Sequence, residues 1–403
     1  MKKLGIILVL ILLLTSCGSS KEAKQLAEIG QKIEVNATKL NDDNFQNYLD
    51  KVDLFSASIS SKLCAEKEDN TCISPLSIFM ALSLSTVGSE GSSQEQVLNV
   101  LGVKASDVTT HTPLLYSVVT QSTETSVANL TNSIWLNESL KYNQDVVEEL
   151  AQNQYCYPYQ VDFKNKNKDA NKKIQNFIKE QTNGMIDKNF EFSNETLLTL
   201  MNTVYFKDKW NTYDGKLNTK EDTFTNLNGS PVTTKYLIGT YQSGTAYQEE
   251  KYQHFYICTD GWYQLRFLVP NEGVSLKDVF TKENIYHVNN FDYEVSDKHS
   301  TRCIFPCFNA GFDDDIFSSL GLNSIALNRL LEENNKIDKI RHIAKLEVNE
   351  KGIEGAAVTI DVVDSGVKPI EKEYHDFLVN RSFGFIISDS HGIPLFSGVV
   401  NNC

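Results

Sequence analysis

This chain contains no G-x-S-x-G elbow, no H-E-x-x-H pair and no P-loop. It also has no G-x-G-x-x-G following a strand pattern. Those absences remove the common hydrolase, metalloprotease and nucleotide-dependent classes. No two cysteines stand as C-x-x-C, which leaves a metal site with little support. Seven histidines are present, yet no cysteine sits in a strand-to-helix nucleophile context, so a Cys–His enzyme has little support either. Basic residues are in deficit, 38 Lys and Arg against 52 Asp and Glu, and the resulting formal charge of −14 argues against nucleic acid and anionic membrane surfaces as partners. Beyond the N-terminus no apolar run is long enough to span a bilayer. There is no internal repeat and no low-complexity tract. What remains is a globular pattern: 403 residues, 41% hydrophobic, can build a sizeable core in one large or two ordinary domains.

The one long apolar run is at the start. Lys2 and Lys3 precede the apolar residues 4–14, and Leu14-Thr15-Ser16-Cys17 closes the run. The run is too short for a spanning helix, and this layout is similar to a bacterial lipoprotein signal. Cleavage would leave Cys17 at the new N-terminus carrying lipid; the plainer alternative is a secretory signal in which Cys17 is incidental. Residues 1–17 are thus expected to be a signal peptide and 18–44 a polar tether, with weak helical character over 27–40. The folded part is expected over 45–403, exported and anchored by lipid alone to a bacterial membrane, outward or periplasmic.

Seven cysteines follow Cys17, an odd number, and export permits disulfides. Cys64 and Cys72 flank a charged, turn-like stretch and are candidates to pair. Cys303 and Cys307, four apart in an extended segment, lie too far apart to bridge.

Residues 46–63 read as an amphipathic helix with Leu49, Val52, Phe55 and Ile59 on one face. Ser74-Pro75 opens the next helix, the serine as cap and the proline in the first turn. Gly88 to Gly91 ends it, and Ser92 or Ser93 caps a helix running to Leu101. Residues 128–137 and 197–206 read as strands. Residues 142–154 and 170–180 read as helices, and 255–270 as two strands about a turn at Thr259-Asp260-Gly261. Leu346-Glu347-Val348 alternates like a half-buried strand.

The stretch behind that strand is Glu350-Lys351-Gly352-Ile353-Glu354-Gly355-Ala356-Ala357-Val358-Thr359. Gly366 and Pro369 do not suit a permanent central strand. A permanent loop, in turn, does not need so many small and β-branched residues. Residues 352–363 therefore read as able to be either.

Glu350-Lys351-Gly352-x-Glu354-x-Ala356-Ala357 resembles the hinge of the serpins, the loop-inserting protease inhibitors. Three further segments are similar to serpin motifs: Asn202-Thr203-Val204-Tyr205-Phe206-Lys207-Asp208-Lys209-Trp210, Leu268-Val269-Pro270-Asn271-Glu272-Gly273, and the closing strand pair 377–387 and 392–401. The likeness extends over about residues 45 to 403 in many ordered motifs. It implies an α+β (mixed) serpin fold: a large central β-sheet, further antiparallel sheets, about eight or nine helices and an exposed reactive loop. A strand over 305–308 and a helix over 317–322 are implied only by this family likeness. The implied activity is suicide inhibition of a serine, or a cysteine, protease by a monomer that needs no cofactor and is not itself an enzyme. The alternative is a non-inhibitory serpin that acts as a binding or structural protein.

If Ile353 points inward, so do Gly355, Ala357, Thr359, Asp361 and Val363. Asp361 does not fit, because a buried unpaired carboxylate is costly. Ile353 is bulkier than the threonine or serine usual there, and Gly355 departs from alanine. Ser74, Ser77, Asn202 and His342 match the family's buried polar cluster beneath the insertion gate, and Trp210 the tryptophan where the loop enters. Singly, each reads as a satisfied core residue. Counting from Glu350 as serpins do puts the cut at Gly366–Val367, within a scissile region of Val363, Asp364, Ser365, Gly366, Val367 and Lys368. The valines suit an elastase-like protease, and Pro369 blocks a trypsin cut after Lys368. Asp361-Val362-Val363-Asp364 followed by Ser365 resembles bait for an Asp-specific cysteine protease, though coincidence in a polar loop is the preferred account.

Overall fold

Apolar and polar side chains alternate along residues 341–349. His342, Ala344, Leu346 and Val348 are buried while Lys345 and Glu347 are exposed, the pattern of a strand with one face on the core. The computed structural model describes residues 23–122, 126–212, 215–294, 298–332, 336–337, 340–354 and 373–403. Residues 1–22, and with them Cys17, lie outside that set. So do Gly355, Ala356, Ala357, Val358, Thr359 and the whole scissile region 363–368.

The strands in chain order are β1 (Lys24–Gln25), β2 (Thr71–Ile73), β3 (Val127–Asn137), β4 (Cys156–Val161), β5 (Leu198–Lys207), β6 (Asn218–Thr225) and β7 (Pro231–Ser243). There follow β8 (Tyr247–Gln248), β9 (Tyr252–Cys258), β10 (Gln264–Pro270), β11 (His299–Pro306), β12 (Phe308–Asp315), β13 (Ile325–Ala326) and β14 (Lys336–Ile337). The last are β15 (Arg341–Asn349), β16 (Gly352–Glu354), β17 (Glu373–Leu378), β18 (Phe383–Ser388) and β19 (Pro394–Val400). The helices among the described residues are α1 (Ala37–Leu40), α2 (Asp43–Cys64), α3 (Pro75–Gly88), α4 (Ser92–Leu101), α5 (Ala105–Val119), α6 (Gln144–Asn153), α7 (Asn167–Gln181), α8 (Leu276–Val279) and α9 (Lys282–Asn289). None of them is long and apolar enough to cross a membrane.

A curled nine-stranded sheet runs β16-β15-β12-β2-β19-β18-β10-β9-β8. Beside it stands a four-stranded sheet, β1-β4-β3-β5, and a third sheet runs β17-β11-β7-β6. This is the α+β serpin fold expected, with one difference. Among the described residues no ladder joins β5 to β15, so the large central sheet is divided by a seam between these two edges. Short β16 is the element that spans it.

α3 sits under the seam. Pro75 occupies its first turn and Ser74 Oγ accepts the Ser77 N–H at 3.3 Å. Its sequence is apolar all round rather than on one stripe, and all but one of its residues are buried, as a helix enclosed on every side requires. α2 packs over it, capped by Asp42, whose Oδ1 accepts the Asn44 and Phe45 N–H groups at 3.0 and 3.1 Å.

Several expectations are corrected. Residues 23–40 are not a free tether: Lys24 and Gln25 pair with Gln160 and Tyr159 of β4, the Gly30 N–H reaches the Ala151 carbonyl at 3.1 Å, and Leu26, Ile29 and Ile33 pack on the core. Backbone pairing keeps this segment extended, so only Ala37–Leu40 is helical. Cys64 and Cys72 are separate buried thiols, each held in apolar packing rather than in a bridge. α4 begins after Gly91 with no side-chain cap, and the helix expected over 317–322 is a single 3-10 turn, Ser318–Leu320. α5 has no sequence signal strong enough to place it, because Pro113 and buried Thr112 and Ser117 blur its apolar stripe.

Candidate functional site

β15 ends at Asn349 and the chain reverses through Glu350 and Lys351. The pairs Asn349↔Gly352, Val348↔Ile353 and Glu347↔Glu354 form a hairpin with a two-residue loop. The loop is held from both sides. The Glu350 carbonyl accepts the Leu217 N–H at 2.8 Å, and Asn349 Oδ1 accepts the Lys351 N–H at 2.9 Å. The carboxylate of Glu350 lies 3.5 Å from Lys235 Nζ and is held below the usual carboxylate range, chiefly by a backbone hydrogen bond.

The other edge of β16 faces Asp208. The Asp208 N–H donates to the Ile353 carbonyl and the Ile353 N–H to the Asp208 carbonyl, each at 3.0 Å. Ile353 is fully buried among Trp210, Leu346 and Val348, a burial worth roughly 1.5–3 kcal/mol. Gly352 makes this approach possible. Its φ of 144° is one that side-chain-bearing residues rarely adopt, and a Cβ there would strike the Asp208 carbonyl. Residues 352–354, expected to be part of a hinge, therefore already occupy the upper end of the seam. Sequence alone puts everything from Ile353 onward outside the sheet until cleavage; the free N–H and C=O of Asp208 are what draw the first of these residues in.

Asp208 is itself buried. Its Oδ1 accepts the Lys209 N–H at 2.9 Å and its Oδ2 the Gly261 N–H at 2.8 Å. Burial pushes its carboxyl up to about 6 against those hydrogen bonds and one from Thr259. Trp210 closes the roof: its indole Nε1 donates to the Asn349 carbonyl at 2.7 Å and its ring meets Phe305 edge-on at 5.7 Å.

Lower in the seam the structure brings Ser74, Ser77, Asn202 and His342 together. The Ser74 N–H donates to His342 Nε2 at 3.1 Å. Ser77 Oγ donates to Asn202 Oδ1, and Asn202 Nδ2 donates to Asn132 Oδ1 on β3. His342 is buried, which pulls its imidazole down to about 3, so it stays neutral and acts as an acceptor. A cavity of about 20 Å³ lies between α3, β5 and β15 at this level, room for about one water. The chain of polar groups thus crosses from α3 to β15 on one side and to β5 and β3 on the other.

Sequence reasoning misses Asn132, Asp208 and an outer clasp. The segment after α7 reaches past β15, where Lys188 pairs with Asp313 of β12, and Arg341 Nε donates to the same carboxylate at 2.7 Å. Burial works against that carboxylate's charge, yet these two partners hold it below the usual range. Asp208 lies inside the 202–210 motif, which is the signal that could have found it; the clasp partners are scattered along the chain and carry no local signal.

Residues 50–403 match the family model for Serpin (serine protease inhibitor). The chain belongs to the serpin family. Iripin-1 of Ixodes ricinus is 28% identical over 372 residues, 86% of this chain and 93% of that protein. Neuroserpin of Homo sapiens is 26% identical over 375 residues, 86% of this chain and 89% of the human protein. Among solved structures, the native state of the thermophilic serpin tengpin superposes with a TM-score of 0.73 at 22% identity, over 95% of this chain and 100% of that one, a likeness of fold. Serpins are in general protease inhibitors that bind target proteases and are not themselves enzymes.

Proposed function

We propose that this serpin is a suicide substrate that traps a serine, or a cysteine, protease. The observation that carries the reading is β16: Gly352–Glu354 paired with β15 on one edge and with Asp208 on the other, at the end of a seam whose two edges have no ladder between them among the described residues. The target's nucleophile attacks the carbonyl carbon of the scissile residue. The peptide C–N bond breaks, the amine leaves with the C-terminal fragment, and the acyl group stays on the enzyme as an ester or thioester. Freed at that end, the loop adds residues 355 onward to β16, gaining ladder hydrogen bonds on both edges. The tethered protease is carried along, its active site is distorted, and hydrolysis of the acyl link stalls. The run Gly355, Ala356, Ala357, Val358 and Thr359 has side chains small enough for a closing seam. Val363 and Val367 favour an elastase-like target, with the cut at Gly366–Val367.

The test is incubation with a panel of serine and cysteine proteases. An acyl complex surviving SDS, with the released fragment beginning at Val367, is the expected result. Clean loop cleavage with no complex at any ratio would assign the chain to the non-inhibitory serpins.

The monomer is anchored, in this reading, through lipid on Cys17 alone. Cys17→Ser should abolish lipid labelling and release the protein from the membrane fraction. Labelling that persists in the variant removes the anchor from the proposal.

A further inference from the structure

The far edge of the nine-stranded sheet carries a group of side chains that protease inhibition does not use. β8 and β9 form a hairpin in which the Glu249 N–H donates to the Tyr252 carbonyl at 2.7 Å. Tyr247 pairs with His254, so period two puts Glu249 and His254 on one face. α9 lies over that face and supplies His287.

Three ligand-type atoms converge there. Glu249 Oε1 is 3.4 Å from His287 Nε2 and 3.5 Å from His254 Nε2, and all three atoms lie within 4.8 Å of one another. A tetrahedral ion with bonds of about 2.0–2.1 Å to nitrogen and oxygen has ligand edges of about 3.4 Å. Two edges already have that length. The third closes by rotation of His287, whose side chain is 46% exposed.

His254 is the decisive member. Its side chain is fully buried, and the nearest polar contact of its Nε2 is the long 3.5 Å approach to Glu249 Oε1, which makes no well-formed hydrogen bond. A buried ring nitrogen held this loosely is uncommon and calls for an explanation. Its other nitrogen is engaged: Nδ1 lies 2.8 Å from the Tyr293 hydroxyl. With the proton on Nδ1 and shared with that hydroxyl, the Nε2 lone pair points at Glu249 and His287. This is the outer-shell arrangement that orients a metal-binding histidine. Phe291 meets the rings of His254 and His287 edge-on at 4.7 and 5.3 Å and supplies an apolar wall behind them.

We propose that Glu249, His254 and His287 bind a divalent cation of the zinc class, with Tyr293 positioning His254 and a fourth coordination place open to water. Two imidazoles and one carboxylate suit zinc better than calcium or magnesium, which take oxygen ligands. The ion would fasten the β8–β9 turn to α9 and so cover the free edge of the large sheet.

The test uses the full chain, treated with chelator, dialysed and titrated with Co²⁺ as a spectroscopic stand-in for Zn²⁺. The expected result is one tight equivalent with the visible bands of four-coordinate cobalt, displaced by Zn²⁺, without a sulfur-to-metal charge-transfer band. Glu249→Gln and His287→Ala, both at partly exposed positions that folding tolerates, should each weaken binding roughly tenfold or more, and Tyr293→Phe roughly tenfold. Zn²⁺ should raise the Tm of the parent protein and not that of His287→Ala. His375→Ala, at an exposed position of the His299–Glu373–His375 trio on β11 and β17, should change nothing. Unaltered affinity in both Glu249→Gln and His287→Ala overturns the proposal. So does a sulfur band, or loss of binding in His375→Ala.

Discussion

Asp208 and Ile353 exchange both backbone hydrogen bonds at 3.0 Å, which fastens β16 to the chain just past the end of β5. In the proposed mechanism the hinge is thus aligned between two strands before any protease arrives, and extending it needs further opening of the seam rather than a new nucleation at its top.

Gly352→Ala should unseat this strand. The added methyl meets the Asp208 carbonyl at a φ of 144°, a strain of order 1–3 kcal/mol. Thermal unfolding should show that loss, and Trp210 fluorescence should shift as the indole loses the Asn349 carbonyl. A variant that melts with the parent would mean that the hinge is not seated in solution.

Ile353→Arg should turn inhibitor into substrate. At this fully buried position the adjacent carboxylate, that of Asp208, already accepts the Lys209 and Gly261 N–H groups, and desolvating a guanidinium there costs roughly several kcal/mol. The hinge is then expelled before cleavage as well as barred after it. Acylation occurs at a distant part of the loop and keeps its rate, so deacylation wins. The loop should be cut at the same bond at a similar rate with no SDS-stable complex, whereas Glu347→Gln, exposed on β15, should still trap. Trapping by Ile353→Arg at the parent stoichiometry would refute the hinge assignment.

Cleavage of the loop should stabilise the protein. A nicked chain that completes its strand fills the seam and gains ladder bonds along β5 and β15. Its Tm should rise well above that of the intact form. A nicked protein that melts at or below the intact one shows that no strand is added.

Acid should act on the gate through His342. Above pH 6.5 the imidazole is neutral in both folded and unfolded chains. Below that, the unfolded chain takes up a proton that the folded one refuses until about 3. Stability therefore falls by about 1.4 kcal/mol per pH unit through this window. Asp208 works the other way: its folded value near 6 lies above the ordinary 3.8, so its burial becomes less costly as pH falls through 6. His342→Gln keeps an acceptor for the Ser74 N–H and removes the histidine contribution. Between pH 6.5 and 4.5 the parent should lose roughly 2 kcal/mol relative to the variant in denaturant titrations. Parallel curves for the two proteins would place His342 in contact with solvent.

Much of the fold is legible in the residues alone. Period-two alternation places β15, and a 3.6-residue stripe places α2. Ser74-Pro75 marks the start of α3, because caps and face patterns are local properties of a few adjacent residues. The inward direction of Ile353 is also readable, since alternation decides which face a side chain takes. Alternation does not decide which strand lies alongside. Only the tertiary structure set Ile353 against Asp208, joined Asn132 to the Ser77–Asn202 pair, closed Lys188 and Arg341 on Asp313, and docked the segment from Lys24 to Ile33 on β4, α6 and α5. It alone left Cys64 and Cys72 as separate buried thiols and gathered Glu249, His254 and His287 around one point. Each of these joins groups brought side by side by the packing of whole sheets and helices, where unpaired backbone edges and buried polar atoms find partners that no local period of the sequence specifies.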